Sequence, residues 1–95
     1  MKFYDTNALL DLQEEAFTEK FYISSVTLEE LESIKTSSRK DPAVKYAARK
    51  VVHLLEDDSQ YTVVPYDKTA QIFLDSKQLE ATPDNKICAC AYTVP

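Results

Sequence analysis

The chain predicts an open three-layer α/β/α domain built on a parallel sheet. Three observations carry that expectation. Short aromatic or β-branched segments alternate with helix-like ones, the pairs Asp41-Pro42 and Thr82-Pro83 mark helix starts, and 95 residues leave room for one domain only. Strands separated by helices pair in parallel through right-handed crossovers, which puts helices on both faces of the sheet.

Lys2–Tyr4 is short and aromatic, compatible with a first buried strand. Residues 8–16 read as a helix, with Leu9, Leu10 and Leu12 among good helix formers. Phe21–Ser24 is the second strand, and Thr27 begins a second helix striped by Leu28, Leu31 and Ile34. Residues 36–39 are polar and break the period. Asp41 then serves as an N-cap with Pro42 in the first helical position. In the helix that follows, Val44, Ala47, Ala48, Val51 and Leu55 recur at helical spacing. Tyr61–Val64 is a third strand closed by Pro65. Residues 67–79 are helical again, and Thr82-Pro83 opens a last helix running to about Tyr92. Thr93-Val94-Pro95 points toward a fourth strand. The expectation is one domain over residues 1–95, lacking its C-terminal strand or forming part of a longer protein.

Composition narrows the function. With 44% hydrophobic and 28% charged residues, the chain has the make-up of a soluble globular protein, without a run of the roughly 18 apolar residues a membrane helix needs. The N-terminus lacks the apolar stretch and cleavage site of a secretory signal, so cytoplasmic residence is expected. Cys88 and Cys90, two apart on a helix, point in different directions and do not chelate together; they read as core or surface thiols in a reducing compartment. The total absence of glycine excludes both the G-x-G-x-x-G turn and the P-loop. A net charge of −5 argues against nucleic-acid binding by bulk electrostatics, yet six of the eleven basic residues fall between Lys35 and Lys50.

Active sites of open parallel sheets form outside the carboxyl ends of the strands. Four acids map there: Asp5 after the first strand, Glu30 in the first turn of the second helix, Asp67 after the third strand and Asp84 in the first turn of the last helix. Each has an ordinary reading. Thr27-Leu28-Glu29-Glu30 fits a capping box, Asp5 and Asp67 fit N-caps, and Asp84 complements a helix dipole. Clustered carboxylates would instead hold Mg²⁺ or Mn²⁺, hard cations that take oxygen ligands and activate water against a phosphodiester. His53 has no partner at helical spacing and reads as structural or surface. Tyr46, Tyr61, Tyr66 and Tyr92 read as core or rim.

The motifs YDTNALLD at 4–11, SSVTLEELESIK at 24–35 and PDNKICACA at 83–91, in that order, resemble the PIN domain family of metal-dependent ribonucleases. EELESIK, Lys40 and YAARKVVHLLED look most like the PIN modules at the N-terminus of PhoH-like ATPases. The resemblance implies that Asp5, Glu30 and Asp84 are the catalytic metal ligands for Mg²⁺ or Mn²⁺, with Thr6 and Asn7 as the supporting shell. Glu30, directly before leucine, is preferred to Glu29, and the fourth ligand of many PIN domains falls beyond the sequence. Asp67 is outside the family pattern.

The function so implied is a Mg²⁺/Mn²⁺-dependent endoribonuclease that hydrolyses RNA by metal-activated water. Lys35, Arg39 and Lys40 are the candidate RNA contacts. Candidate partners are RNA, a second copy of the chain, and an antitoxin-like protein or an ATPase domain; no membrane is expected. The alternative is a non-catalytic PIN-like module that binds protein or RNA within a larger RNA-processing protein. Haloacid-dehalogenase-type phosphatases want a second aspartate where Asn7 stands, and receiver domains want an acidic pair near the first strand and a lysine after a late one.

Overall fold

The computed structural model describes residues 2–38, 41–57 and 60–94. Its elements run β1 (Lys2–Tyr4), α1 (Thr6–Leu12), a 3₁₀ segment (Gln13–Thr18), β2 (Phe21–Ser24), α2 (Ser25–Thr36), α3 (Pro42–Asp57), β3 (Tyr61–Val64), α4 (Lys68–Ser76) and α5 (Pro83–Thr93). The strands form one open parallel sheet in the order β1-β2-β3, with Tyr4 beside Ile23 and Ile23 beside Val63. All three predicted strands are present. Among the described residues no strand follows α5, and no helix is long and apolar enough to cross a membrane.

Side chains alternate across a strand, so β2 serves two layers at once. Phe21 and Ile23 point to the face covered by α1, α2 and α3, where they pack with Leu9, Ala16, Leu31, Ala48 and Val51, all fully buried. Phe21 is the hub: the rings of Phe17, Tyr4 and Tyr61 stand 5.2, 5.3 and 6.1 Å from it. Burying one such side chain contributes about 1.5–3 kcal/mol. Ser24 points to the other face, where its hydroxyl donates to the Cys90 thiol of α5 at 3.2 Å. Beyond it a smaller cluster of Ala70, Leu74 and Ala89 joins α4 to α5.

Several boundaries differ from expectation, each for a local reason. The first helix begins at Thr6 because Asp5 caps it, and it stops at Leu12 because Gln13 takes a φ of 51°; Ala16 is then buried from the 3₁₀ segment. The second helix begins at Ser25, since the Ser24 hydroxyl accepts from the Val26 amide at 3.0 Å. Thr27 is therefore no cap, the Thr27–Glu30 capping box does not form, and Glu30 lies in the second turn rather than the first. The helix expected over 67–79 is shorter, Lys68–Ser76, and closes through a left-handed Gln78. Val44 is exposed with the rest of the first turn of α3, so the buried stripe there starts at Ala47.

Candidate active site

Asp5 leaves β1 in an extended conformation, and its Oδ1 accepts from the Ala8 amide at 2.8 Å. The ordinary reading of Asp5 as an N-cap is thus correct. One carboxylate has two oxygens, however, and among the described residues Oδ2 carries no hydrogen bond. At the start of α5, Thr82 does the capping by accepting from the Asn85 amide at 3.2 Å. That leaves Asp84, exposed in the first turn where its charge complements the helix dipole, without a side-chain hydrogen bond among the described residues. Asn85 secures the approach to this helix by donating from Nδ2 to the Glu80 carbonyl at 2.9 Å.

Asp5 and Asp84 line one open groove of about 460 Å³ between β1, α1 and α5. Asn7 is the third polar contributor. Phe3, Ala8, Ile87 and Ala91 supply apolar wall, and Cys88 adds a thiol. Asp84, Ile87, Cys88 and Ala91 recur at i, i+3, i+4 and i+7, one face of α5. Phe3 and Cys88 escaped the reading of the sequence. The spacing of Cys88 four residues after Asp84 is the signal that could have placed the thiol on the same side.

Glu30 sits behind this groove and does not line it. Half-buried on α2, it accepts at Oε1 from the Thr6 hydroxyl at 2.8 Å, and Thr6 in turn lies 3.2 Å from the hydroxyl of Thr27. Glu29 is exposed and makes no such contact among the described residues, so of the two neighbours it is Glu30 that faces the β1–α1 junction. Asp67 stands apart as the cap of α4, accepting from Thr69 and Ala70 amides at 3.0 and 3.2 Å. The expected single rim of four acids is therefore two aspartates in one groove, a glutamate tied to the residue after Asp5, and a cap.

Among the described residues no three His, Cys, Asp or Glu side chains stand close enough to hold a metal ion together. The two exposed carboxylates that line the groove, Asp5 with one oxygen and Asp84 with both unbonded among the described residues, fit a hydrated Mg²⁺-type cation, which commonly takes one or two protein carboxylates and keeps several waters.

The basic window is less concentrated than its sequence suggests. Lys35 pairs with Glu32 at 4.0 Å within α2, and Lys50 reaches Glu14 of the 3₁₀ segment at 2.7 Å. That hydrogen bond holds the Glu14 carboxyl below its ordinary value and the Lys50 ammonium above. Lys45 and Arg49 make no ion pair among the described residues. Arg39 and Lys40 lie outside the described residues. His53 is on the surface, 3.9 Å from Glu56.

Fold and groove together define a class: a parallel α/β domain with paired aspartates at the carboxyl edge of its sheet. The PIN domain model matches residues 3–95, and the chain belongs to the PIN domain family, whose members are in general nucleases that use divalent metal ions. Comparison with curated proteins and with solved structures returned no match.

Proposed function

We propose that this PIN domain is a Mg²⁺/Mn²⁺-dependent endoribonuclease, with Asp5 and Asp84 as the groove ligands and Glu30 as the third acid of the set. The observation that carries the reading is that Asp5 and Asp84, from opposite ends of the sequence and different layers of the fold, line the same groove. A bound divalent ion supplies charge stabilisation on the phosphodiester and a water acidified toward neutral pH. The chain's own residues supply the rest. The Ala8 amide holds Asp5 through Oδ1, so Oδ2 is presented in a fixed direction without further ordering cost. Thr6 orients Glu30, and Asn7 adds an amide to the groove wall. Lys45 and Arg49 on α3, which make no ion pair among the described residues, and Lys35 at the end of α2 are suited to the RNA backbone, where contacts position the strand without reading its sequence.

The test joins binding to activity. Mn²⁺ at about a hundredfold over its Kd adds roughly 2.7 kcal/mol, which for a domain of this size raises Tm by roughly 10 °C or more. Asp5→Asn keeps an N-cap of equal quality but removes the charge, so its metal-free Tm stays near wild type while the Mn²⁺ shift disappears. Single-stranded RNA should be cleaved with Mn²⁺ by the wild type and not by Asp84→Asn. The competing non-catalytic module draws support from the lack, among the described residues, of three clustered carboxylates. A wild type that is folded but shows no Mn²⁺ shift would decide for that module.

A further inference from the structure

We propose that Thr27 is a positioning residue that sets the orientation of Glu30 through Thr6. The role given to Glu30 rests on the nuclease reading above, while the relay itself rests on hydrogen-bond geometry. Thr27 is 0% and Thr6 7% exposed, and buried hydroxyls are in the large majority hydrogen-bonded. Their oxygens are 3.2 Å apart, and Thr6 Oγ1 is 2.8 Å from Glu30 Oε1. A threonine hydroxyl has one proton and an ionised carboxylate only accepts. The Thr6 proton therefore goes to Glu30, and the Thr27 proton goes to Thr6. The order of the relay, Thr27 to Thr6 to Glu30, follows from counting donors.

This arrangement is not what a threonine does by default in a helix. Thr36, at the other end of α2, donates to the Glu32 carbonyl one turn back, the usual local bond. Thr27 bonds instead to a residue 21 positions away, at the junction that also carries Asp5. Thr27 and Glu30 are three apart and share a face of α2, so Thr6 bridges two residues of one helix face. The bridge ties the long Glu30 side chain to Thr6, the residue after Asp5 at the β1–α1 junction. Residues that hold an acidic ligand by hydrogen bonding typically change metal affinity or activity by about 10- to 100-fold when removed.

The experiment uses the full chain with Thr27→Val, Thr27→Ser and Glu30→Met. Valine matches threonine in shape and lacks the proton; serine keeps the proton. Mn²⁺ titration by calorimetry should show affinity reduced about tenfold or more in Thr27→Val and restored to within about threefold of wild type in Thr27→Ser. RNA cleavage should follow the same order, with the loss in kcat rather than KM, since Thr27 lies outside the groove. A purely structural Thr27 would tolerate the isosteric apolar valine, so wild-type Mn²⁺ affinity in Thr27→Val overturns the proposal.

If the wild type binds no Mn²⁺, the nuclease reading fails separately and the relay is judged without metal. In the Glu30→Met background the Thr6 proton has lost its acceptor and turns to Thr27. Adding Thr27→Val then strands a buried hydroxyl, so it should lower Tm more there than in the wild type. An equal drop in both backgrounds would show that the three residues are not linked.

Discussion

Single residues in this domain hold two duties where two atoms allow it, and Asp5 is the clearest case. Its Oδ1 ends the β1–α1 transition by capping, its Oδ2 carries no hydrogen bond among the described residues, and the side chain lines the groove, so structural and chemical readings of the same carboxylate do not compete. The two cysteines divide duties between them instead. Cys88 is exposed in the groove, whereas Cys90 is buried against Ser24 and has its thiol pushed above the ordinary value by burial, opposed by the Ser24 hydrogen bond and aided by the charge of Asp67. Native alkylation should therefore label Cys88 alone and leave Cys90 for denaturant, as mass spectrometry of the labelled peptides would read out. The pH consequence has a definite sign. The folded state keeps the Cys90 proton after the unfolded state has lost its own near about pH 8.5, so this contribution is complete below that pH and is lost as pH rises through the folded value. Between pH 8 and pH 10 the wild-type Tm should fall more steeply than that of Cys90→Ala; parallel curves would contradict the assignment.

At the scale of elements, a chain without glycine must end its helices by other means. The end of α4 shows the cost. The Gln78 amide donates to the Asp75 carbonyl and the Leu79 amide to the Leu74 carbonyl, at 3.1 and 3.0 Å, the paired bonds that close a helix through a left-handed residue usually filled by glycine. Gln78 takes that position with a φ of 55°. A left-handed conformation costs a residue with a Cβ about 1–2 kcal/mol, and glycine gives back about 0.5–1 kcal/mol of that in chain entropy. Gln78→Gly should thus stabilise the domain by roughly 0.5–1 kcal/mol, seen as a higher urea midpoint at unchanged m. The same end explains why this helix is misjudged at its C-terminus when read from sequence: apolar Leu79 continues the period but belongs to the closing turn. Strands and the two proline-marked helix starts were legible because β-branched runs, Asp41-Pro42 and Thr82-Pro83 are local signals. Ser24 as the true cap of α2 was not, since Ser24, Ser25 and Thr27 all qualify and only the packing of β2 chooses among them. In the site, Asp5 and Asp84 could be placed on one edge by topology, but the ties of Thr6 to Glu30 and to Thr27 each span more than twenty residues, and no local pattern announces them.

For the whole molecule the two faces of the sheet are unequal, and that inequality bears on when the groove exists. On one face a continuous core runs from Leu9 through Phe21 and Ile23 to Leu31, Val51 and Leu55. On the other, the buried cluster joining α4 to α5 among the described residues is small, Ala70, Leu74 and Ala89, with Ile87 and Cys90 of α5 also buried and Phe73 and Tyr92 stacked at 4.3 Å toward the surface. The ties back to the main body include Ser24 to Cys90 and the Tyr66 amide to the Ser25 hydroxyl at 2.9 Å. Regions with few buried apolar contacts open at lower free energy than the global transition. Native-state hydrogen exchange should accordingly find the amides of α4 and α5 exchanging through a sub-global opening, while those of β2 and α3 exchange only on complete unfolding. Asp84 rides on the weaker layer and Asp5 on the stronger, so opening separates the two groove carboxylates. A cation bound by both would couple the layers: Mn²⁺ should slow exchange in α5 selectively, by an amount that grows with concentration. Leu74→Ala probes the same linkage from the core side. Removing a buried leucine costs about 2–5 kcal/mol, enough to favour the open layer, so β2 amides should stay protected while α5 protection and the Mn²⁺ effect are lost together. Uniform loss of protection across both layers would mean instead that the domain unfolds as one unit and that the groove is as permanent as the sheet.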